Sequence, residues 1–411
     1  MKFEDFLKPV ENDLFERAEA LNAYLNSGEL TGNEGLGLAL MAKTSPNVMM
    51  LEKDGSQHEV IMMGSNSYLN LTEHPRVVEA AEKALKKYGY GMGAVSLYAG
   101  LTDFHKQLEK EIADFYHTED AIVFPSGYGT NVGVISALCH EGDVIINDSA
   151  NHASIFDGSV LSRADLKIYQ HSNMKHLEKV LASIPENQKG RLIITDGVFS
   201  MHGDLAKLDE IVDLAKKYHT RVMVDDAHGL GIVGPTGRGT AEYYNLMKEV
   251  DLHVGMLSKA PGALGGYCAA KKEIIQYLRL YARTYFFSTA LPAPIVAGLI
   301  EVFHLLSTDS AGREKLWQNI NYMKDNLRKV GFKLGESNSG IIPVIVGDEE
   351  RLFAFHNELR QKGVYTNIVS YPAVRRKECR LRLCIMKDLT KEIMDKATQI
   401  ISEVGKNHGV I

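Results

Sequence analysis

Short apolar segments alternate with amphipathic helical segments from about residue 60 to residue 300. The apolar segments are rich in Val and Ile and about five to eight residues long, as expected of strands buried on both faces of a sheet. They span residues 121–127, 143–148, 166–171, 191–198, 221–227 and 252–257. Residues 208–218 have the clearest helical periodicity between them. The alternation predicts an α/β fold with a mostly parallel, doubly wound sheet.

The pattern changes twice along the chain, and these changes predict three regions. Residues 1–58 are predicted to form an N-terminal helical arm and a loop, ending in a turn at residues 53–55. Residues 59–305 are predicted to form the large domain that holds the sheet. A polar break follows at residues 307–315, after which apolar segments are fewer and more widely spaced. Residues 306–411 are therefore predicted to form a smaller α+β C-terminal domain, and a length of 411 residues also favours more than one core.

Composition narrows the class of protein. The chain is 45% hydrophobic and 24% charged, which is ordinary for a globular protein, and its net charge of -6 argues against nucleic acid as the main partner. The four cysteines form no Cys-x-x-Cys pair, so the sequence suggests neither a zinc site nor a disulfide framework. Free thiols fit a reducing cytoplasm. The N-terminus lacks the apolar core of a signal peptide, and no run of about 18 apolar residues predicts a transmembrane helix.

An acid and a lysine follow two neighbouring predicted strands. Asp225 comes at the end of the segment 221–227, and Lys259 comes just after the segment 252–257, 34 residues later. Ligands of open parallel sheets bind beyond the carboxyl ends of the strands, so these two side chains can face one pocket. Pyridoxal phosphate requires such a pair, an amine that forms an imine and a carboxylate that keeps the pyridine nitrogen protonated. The alternative is a surface lysine and a strand-end acid that never meet.

Two further segments follow strands in the same way. Residues 126–131 (SGYGTN) open a helix, where backbone N–H groups can bind a phosphate, although an ordinary glycine turn has the same appearance. His152 follows the segment 143–148, and taken alone it is more often a structural histidine. The glycines of residues 88–93 follow a predicted helix and not a strand, which argues against a dinucleotide-binding fingerprint.

These segments together resemble the α-oxoamine synthases, a branch of the fold-type I pyridoxal-phosphate enzymes. The resemblance runs from about residue 64 to the C-terminus and rests on GSNSYLNL, NHASIFDG, TDGVFSMHGDLAKL, VDDAHGLGIVGPTGRG and LSKAPGALGGY in the family's order. It is closest to the serine palmitoyltransferase and 2-amino-3-ketobutyrate CoA ligase members. The resemblance implies the fold-type I transferase fold and pyridoxal 5'-phosphate as cofactor.

The resemblance also implies roles for individual residues around the cofactor. Lys259 is expected to form the imine, Asp225 to pair with the pyridine nitrogen, His228 to pair with the phenolic oxygen, and His152 to stack on the ring. The phosphate is expected to bind the backbone of Gly127 and Tyr128, with Ser258 nearby and with Ser288 and Thr289 of the other subunit. A homodimer with shared active sites follows from that last expectation.

On the substrate side the resemblance implies that Arg382 holds the amino-acid carboxylate, for which a planar guanidinium is well suited. Asn66, Ser200 and Ser96 are expected to line this side. Three positions depart from the family pattern. Met256 replaces a phosphate-binding Thr, Ser96 replaces a frequent Arg, and Leu389 replaces a frequent His. The first weakens cofactor anchoring, and the others suggest an unusual acyl donor.

The reaction that the resemblance implies is a decarboxylative condensation giving an α-amino ketone. The expected substrates are a small amino acid (serine, glycine or an analogue such as cysteate) and a fatty acyl thioester on coenzyme A or an acyl carrier protein. A 2-amino-3-ketobutyrate CoA ligase activity and an aminotransferase or lyase that uses no thioester stay open. A cofactor-free interaction protein is a further alternative, made conceivable by Met256. The basic residues between 374 and 382 form either a solvated strand edge or a docking patch for a carrier protein.

Overall fold

The computed structural model describes residues 13–27, 37–188 and 190–411. Its helices are α1 (Glu16–Asn26), α2 (Pro75–Tyr88), α3 (Asp103–Tyr116), α4 (Gly127–Leu138), α5 (Ala153–Ser162), α6 (Met174–Ala182), α7 (Leu208–Lys217), α8 (Thr240–Tyr243), α9 (Lys272–Tyr281), α10 (Arg283–Phe286), α11 (Ala293–Thr308), α12 (Ser310–Lys329), α13 (Glu349–Gln361) and α14 (Lys391–Asn407).

The strands are β1 (Ala39–Leu40), β2 (Asn47–Leu51), β3 (Gln57–Met62), β4 (Asp120–Phe124), β5 (Val144–Asp148), β6 (Asp165–Tyr169), β7 (Arg191–Asp196), β8 (Arg221–Asp225), β9 (Leu252–Met256), β10 (Gly266–Ala270), β11 (Ile341–Ile345), β12 (Val364–Tyr365), β13 (Asn367–Val369) and β14 (Arg380–Cys384).

A seven-stranded sheet in the order β4-β10-β9-β8-β7-β5-β6 forms the centre of the molecule. Strands β5 to β9 run parallel to one another, and β10 alone pairs antiparallel, with β4 on one side and β9 on the other. All six predicted strands are present, which confirms the predicted α/β fold and its mostly parallel sheet. Strand β10 was not predicted, because its short Gly-Tyr-Cys-Ala-Ala run follows a glycine-rich stretch that reads as a loop.

Side chains from both faces of this sheet form the core. Strands β5, β8 and β9 are buried at nearly every position, as expected of strands covered by helices on both sides. The cluster below one face includes Phe124 and Tyr285, and the cluster on the other includes Phe199 and Leu208. The largest cluster joins the sheet to the C-terminal elements through Tyr68, among others. Burial on both faces leaves the carboxyl ends of the strands as the accessible polar edge.

Two smaller sheets complete the fold. One has the order β1-β2-β3-β12 and the other, which is antiparallel, has the order β11-β14-β13. The loop predicted before residue 53 was wrong for residues 39–40 and 47–51, which form β1 and β2. Strand β1 has two exposed residues, and the alternating burial of β2 is too short a pattern to detect without the partner strand β3. Within the predicted arm the described helix is α1, and residues 1–12 and 28–36 lie outside the described residues. Helix α11 runs across the predicted boundary at residue 305.

No single helix in the described ranges is long and apolar enough to cross a membrane. The α11–α12 pair reaches that length and composition only when both helices are counted across a 77° bend between them.

Candidate active site

The predicted acid and lysine meet at the carboxyl edge of the large sheet. Asp225 is the last residue of β8, and Lys259 follows the neighbouring parallel strand β9 by three residues. Burial lowers the pKa of Lys259, and the charge of Arg382 lowers it further, while Asp225 partly offsets both. Burial raises the pKa of Asp225, while hydrogen bonding and the charges of His152 and Lys259 lower it by a smaller amount. Asp225 and Lys259 thus follow neighbouring parallel strands at one edge of the sheet, and the charge of each influences the pKa of the other.

Asp225 is held in a fixed orientation by two donors. The Asn131 side chain donates to one carboxylate oxygen at 2.6 Å, and the Ala227 backbone N–H donates to the other at 3.0 Å. Asn131 is fully buried on helix α4. A carboxylate fixed from behind can direct its charge toward a protonated ring nitrogen in front of it, so this arrangement fits the pyridine of the expected cofactor.

The first turn of α4 offers a phosphate cradle. Ser126 caps the helix by accepting a hydrogen bond from the Gly129 N–H at 3.0 Å. The N–H groups of Gly127 and Tyr128 have no acceptor among the hydrogen bonds of the described residues. Free N–H groups at a helix N-terminus bind phosphate, and the exposed Ser258 hydroxyl lies on the loop between β9 and Lys259. The Tyr128 hydroxyl donates to Asp157 on helix α5.

The two predicted histidines differ in environment. His152 is the exposed N-cap of α5, and its Nδ1 lies 2.7 Å from the Ser154 hydroxyl. His228 is buried, and its Nδ1 lies 2.8 Å from the Tyr68 hydroxyl. Burial holds the pKa of His228 well below its usual range, and the charges of Arg382 and Lys259 lower it further. His228 is therefore neutral and available as a hydrogen-bond partner, while the ring of His152 is open to a stacking ligand.

Arg382 brings a buried cation to this pocket from strand β14 of the small sheet. Its Nε donates to the Ser200 carbonyl at 2.6 Å, and one of its terminal nitrogens donates to the Asn66 side-chain oxygen at 3.2 Å. Its side chain is only 6% exposed, and no carboxylate of the described residues lies within 4 Å of it. Its other terminal nitrogen donates to the Cys384 sulfur at 3.3 Å. A buried guanidinium without a carboxylate partner is a binding site for an anion such as a carboxylate.

Three further predicted site residues, Ser96, Ser288 and Thr289, lie close to one another in the protomer. Ser96 is buried, and its hydroxyl bonds to Tyr285. Its neighbour Val95 forms an isolated bridge with Thr289, which follows Ser288. None of the three forms a hydrogen bond with Lys259 or Asp225 in the described chain, and their expected roles stay predictions. Leu389, one of the three departures, is buried in the core.

Several residues of the pocket had not been singled out from the sequence. Asn131 supports Asp225, Tyr68 bonds to His228, and the Cys384 thiol lies 3.4 Å from the Asn66 oxygen that Arg382 also contacts. Asp196 on β7 is the register partner of Asp225. Burial raises the pKa of Asp196 well above its usual value, and the negative charge of Asp225 is the second cause. Asn131 and Tyr68 fall inside quoted motifs, but nothing in a local pattern indicates which residue they face.

The chain is similar to several known proteins over most of its length. The family model described as "Aminotransferase class I and II" matches residues 58–401. An 8-amino-7-oxononanoate synthase of Thermoanaerobacter pseudethanolicus is 45% identical over 353 residues, covering 86% of this chain and 89% of that protein. The serine palmitoyltransferase structure of Sphingomonas wittichii superposes with a TM-score of 0.92 at 33% identity, covering 97% and 100% of the two chains. A serine palmitoyltransferase structure containing the pyridoxal-phosphate internal aldimine superposes with a TM-score of 0.91 at 32% identity, covering 97% and 100%.

Proposed function

This chain belongs to the α-oxoamine synthases, a branch of the class I and II aminotransferase family of pyridoxal-phosphate enzymes, and from that membership we propose that it condenses a small amino acid with a long-chain acyl thioester. Enzymes of this branch are C-acyltransferases that join an amino acid to an acyl thioester. The observation that carries the proposal is the buried Arg382, which has no carboxylate partner among the described residues. Its positive charge lowers the pKa of Lys259. A small α-amino acid supplies both the missing carboxylate and an amine for the lysine's site.

We infer that the pocket holds the cofactor through Lys259, Asp225, His228 and His152, with the phosphate on the Gly127 and Tyr128 backbone. When bound, pyridoxal phosphate supplies an electron sink for the negative charge that develops on the amino-acid Cα. Asp225, fixed by Asn131, keeps a proton on the pyridine nitrogen. The neutral His228 is a hydrogen-bond partner for the ring's phenolic oxygen.

Arg382 binds the amino-acid carboxylate and orients the Cα–H bond toward Lys259. Lys259 removes that proton, which it accepts most readily as a neutral amine, and its lowered pKa favours that form. The Cα then forms a bond to the thioester carbonyl carbon as the thiol leaves. The carboxyl group leaves as CO₂, and Lys259 returns a proton to Cα, giving the α-amino ketone.

The acyl specificity is inferred from a cleft of about 710 Å³ beside the phosphate cradle. Its lining contains no charged side chain and includes Tyr90, Met92, Pro125, Leu264, Leu291 and Pro292. An uncharged cleft favours an apolar acyl tail over a charged one.

A second candidate comes from the curated relatives named 8-amino-7-oxononanoate synthase. By its name, that product combines an amino acid bearing a methyl side chain with a seven-carbon dicarboxylic acyl group. The charged end of such a donor distinguishes it from a fatty acyl donor.

The test is a mass-spectrometric screen of purified enzyme with serine, glycine, alanine and cysteate against fatty acyl and dicarboxylic acyl donors. Each donor is offered on coenzyme A and on an acyl carrier protein. We expect an α-amino ketone with a fatty acyl chain, together with released thiol. A product formed only from alanine and the dicarboxylic donor would establish the second candidate, and turnover without thiol release would point to an aminotransferase or lyase.

We also infer that the enzyme is a homodimer whose subunits share active sites. Large apolar side chains near Thr289 are strongly exposed in the protomer, with Tyr98 77% and Phe287 70% exposed. Such a patch on a folded chain marks an interaction surface. Subunit mixing tests the sharing of Ser288 and Thr289. We expect Lys259→Ala protein and Ser288→Ala/Thr289→Val protein, each nearly inactive, to regain part of the activity when their subunits are exchanged.

A further inference from the structure

Two histidines and an aspartate meet outside the active-site pocket. His171 follows strand β6, while His202 and Asp204 lie on the loop after strand β7. The potential ligand atoms of these three side chains all lie within 4.8 Å of one another, and His171 Nε2 is 3.1 Å from Asp204 Oδ2. All three are partly exposed, so a small solute can reach them.

The ring of His171 is held from three directions. A buried carboxylate lies behind it, since Asp148 Oδ1 is 3.0 Å from His171 Nδ1 and Asp148 is only 1% exposed. The Phe199 ring contacts the imidazole edge-on at a centroid distance of 4.4 Å, and the His202 ring stacks on it at 5.1 Å. In metalloproteins the ring nitrogen that does not bind the metal commonly donates to such a carboxylate. With Nδ1 facing Asp148, Nε2 of His171 lies on the side of Asp204, beside the stacked His202 ring.

Asp204 provides a second indication of a missing ligand. One of its carboxylate oxygens bonds to His171, but the other, Oδ1, is buried and has no hydrogen-bond partner among the described residues. An unsatisfied buried carboxylate oxygen is costly, and a cation beside it removes that cost.

We propose that His171, His202 and Asp204 bind a divalent transition-metal ion such as Zn²⁺, with Asp148 supporting His171 from behind. Two imidazole nitrogens and one carboxylate oxygen suit Zn²⁺, leaving a fourth position for water. Ligand atoms around tetrahedral Zn²⁺ are about 3.3 Å apart for metal–ligand bonds of about 2.0 Å, so the three side chains close slightly on the ion. None of these three residues has a role in the proposed cofactor chemistry.

The site is linked mechanically to substrate binding. The loop that holds His202 and Asp204 also carries the Ser200 carbonyl, which accepts the Arg382 Nε hydrogen bond, and the Gly203 carbonyl, which accepts from Ser339 at 2.9 Å. A metal ion on this loop fixes the backbone that positions Arg382. Metal binding is therefore expected to lower the KM for the amino acid without changing the amount of bound cofactor.

The test measures Zn²⁺ binding to the cofactor-loaded enzyme after chelator treatment and dialysis, with calorimetry for affinity and elemental analysis for stoichiometry. We expect one Zn²⁺ per chain, at least about 100-fold weaker binding in His202→Asn, and about 10- to 100-fold weaker binding in Asp148→Asn. His304→Gln, an exposed histidine on α11, is the matched control and should bind as the wild type does.

His202→Asn keeps the test decisive if His171 variants fail to fold, because His202 contributes only ring stacking and no ion pair in the described chain. Equal Zn²⁺ binding by wild type and His202→Asn, or none by either, would overturn the proposal and leave His171 as a structural ion pair between two aspartates. Since no substrate is present, the outcome is independent of whether the proposed condensation is correct.

Discussion

The side chain of Met256 lies directly against Gly127 at the N-terminus of helix α4. A β-carbon added at Gly127 would come within 2.3 Å of Met256 Sδ. The thioether therefore occupies the space beside the phosphate cradle but can accept only a weak hydrogen bond and donate none. Cofactor anchoring must depend on the backbone N–H groups and on hydroxyl groups nearby.

Replacing Met256 with Thr should strengthen cofactor binding. A hydroxyl at this position can donate to the phosphate, and a hydrogen bond to a charged group contributes about 1.5–3 kcal/mol, which corresponds to about tenfold or more in Kd. Met256→Val has the same shape without the hydroxyl and is the control. Equilibrium dialysis should give a lower dissociation constant for pyridoxal phosphate in Met256→Thr than in Met256→Val. Equal dissociation constants in the two variants would mean that the phosphate already has its full set of donors.

Asp225→Asn should keep the cofactor yet lose at least about 100-fold in turnover. The neutral amide cannot hold the proton on the pyridine nitrogen, and its NH₂ group faces the Asn131 donor. The control is Asp226→Asn, whose carboxylate is also buried but accepts from Thr240. Steady-state kinetics on cofactor-saturated protein should show a much smaller loss in the control. Similar turnover in both variants would contradict the role given to Asp225.

Arg382→Gln should raise the amino-acid KM and shift the pH dependence of cofactor capture. Loss of the bond to the carboxylate costs about 1.5–3 kcal/mol, or about 10- to 100-fold in KM. Burial is the larger cause that lowers the pKa of Lys259, and Arg382 is the second. Removing that positive charge raises this pKa, so less neutral amine is present at pH 7 and the midpoint moves to higher pH.

Arg382→Lys separates the two effects of Arg382. It keeps the charge but not the two-pronged contact, so KM should rise while the midpoint for cofactor capture stays near that of the wild type. Stopped-flow measurement of cofactor uptake by the apoenzyme across pH gives the midpoint, and an unchanged midpoint in Arg382→Gln argues against the electrostatic link.

The basic segment 374–382 gives a prediction about the acyl carrier. Arg375 and Lys377 are exposed, whereas Arg376 pairs with Glu349 at 3.1 Å and lies over the Tyr371 ring, and Arg380 is buried. If a carrier protein docks here, Arg375→Glu with Lys377→Glu should raise KM for the carrier-protein donor by about tenfold at low salt. KM for acyl-CoA and for the amino acid should hardly change.

Added salt should reduce this effect, because exposed charges are screened over about 8–10 Å. Lys248→Glu with Lys271→Glu, exposed at the opposite edge of the sheet, is the control for a general change in charge. An equal rise in KM for both donors removes the docking site and leaves a general thioester site.

The sequence alone predicted six of the seven strands of the large sheet and the polar residues that follow them. Strand segments and the residues that follow them are local features, so the positions of Asp225, Lys259 and the α4 phosphate cradle could be predicted from hydrophobic period and spacing. Their convergence follows from parallel strands, because the carboxyl ends of such strands share one edge. The predicted fold class is confirmed by the observed sheet, and the predicted cofactor by the similarity to pyridoxal-phosphate enzymes.

Tertiary structure decided which polar groups support that chemistry. Asn66 and Arg382 are 316 residues apart, and Asn131 and Asp225 are 94 apart, so no local pattern pairs them. Packing also decided that Ser96 is buried and that only Arg375 and Lys377 of the basic segment are strongly exposed. The antiparallel pairing of strand β10 and the His171 cluster also depend on the tertiary structure. Both consist of contacts between distant segments, which form only when the chain is folded.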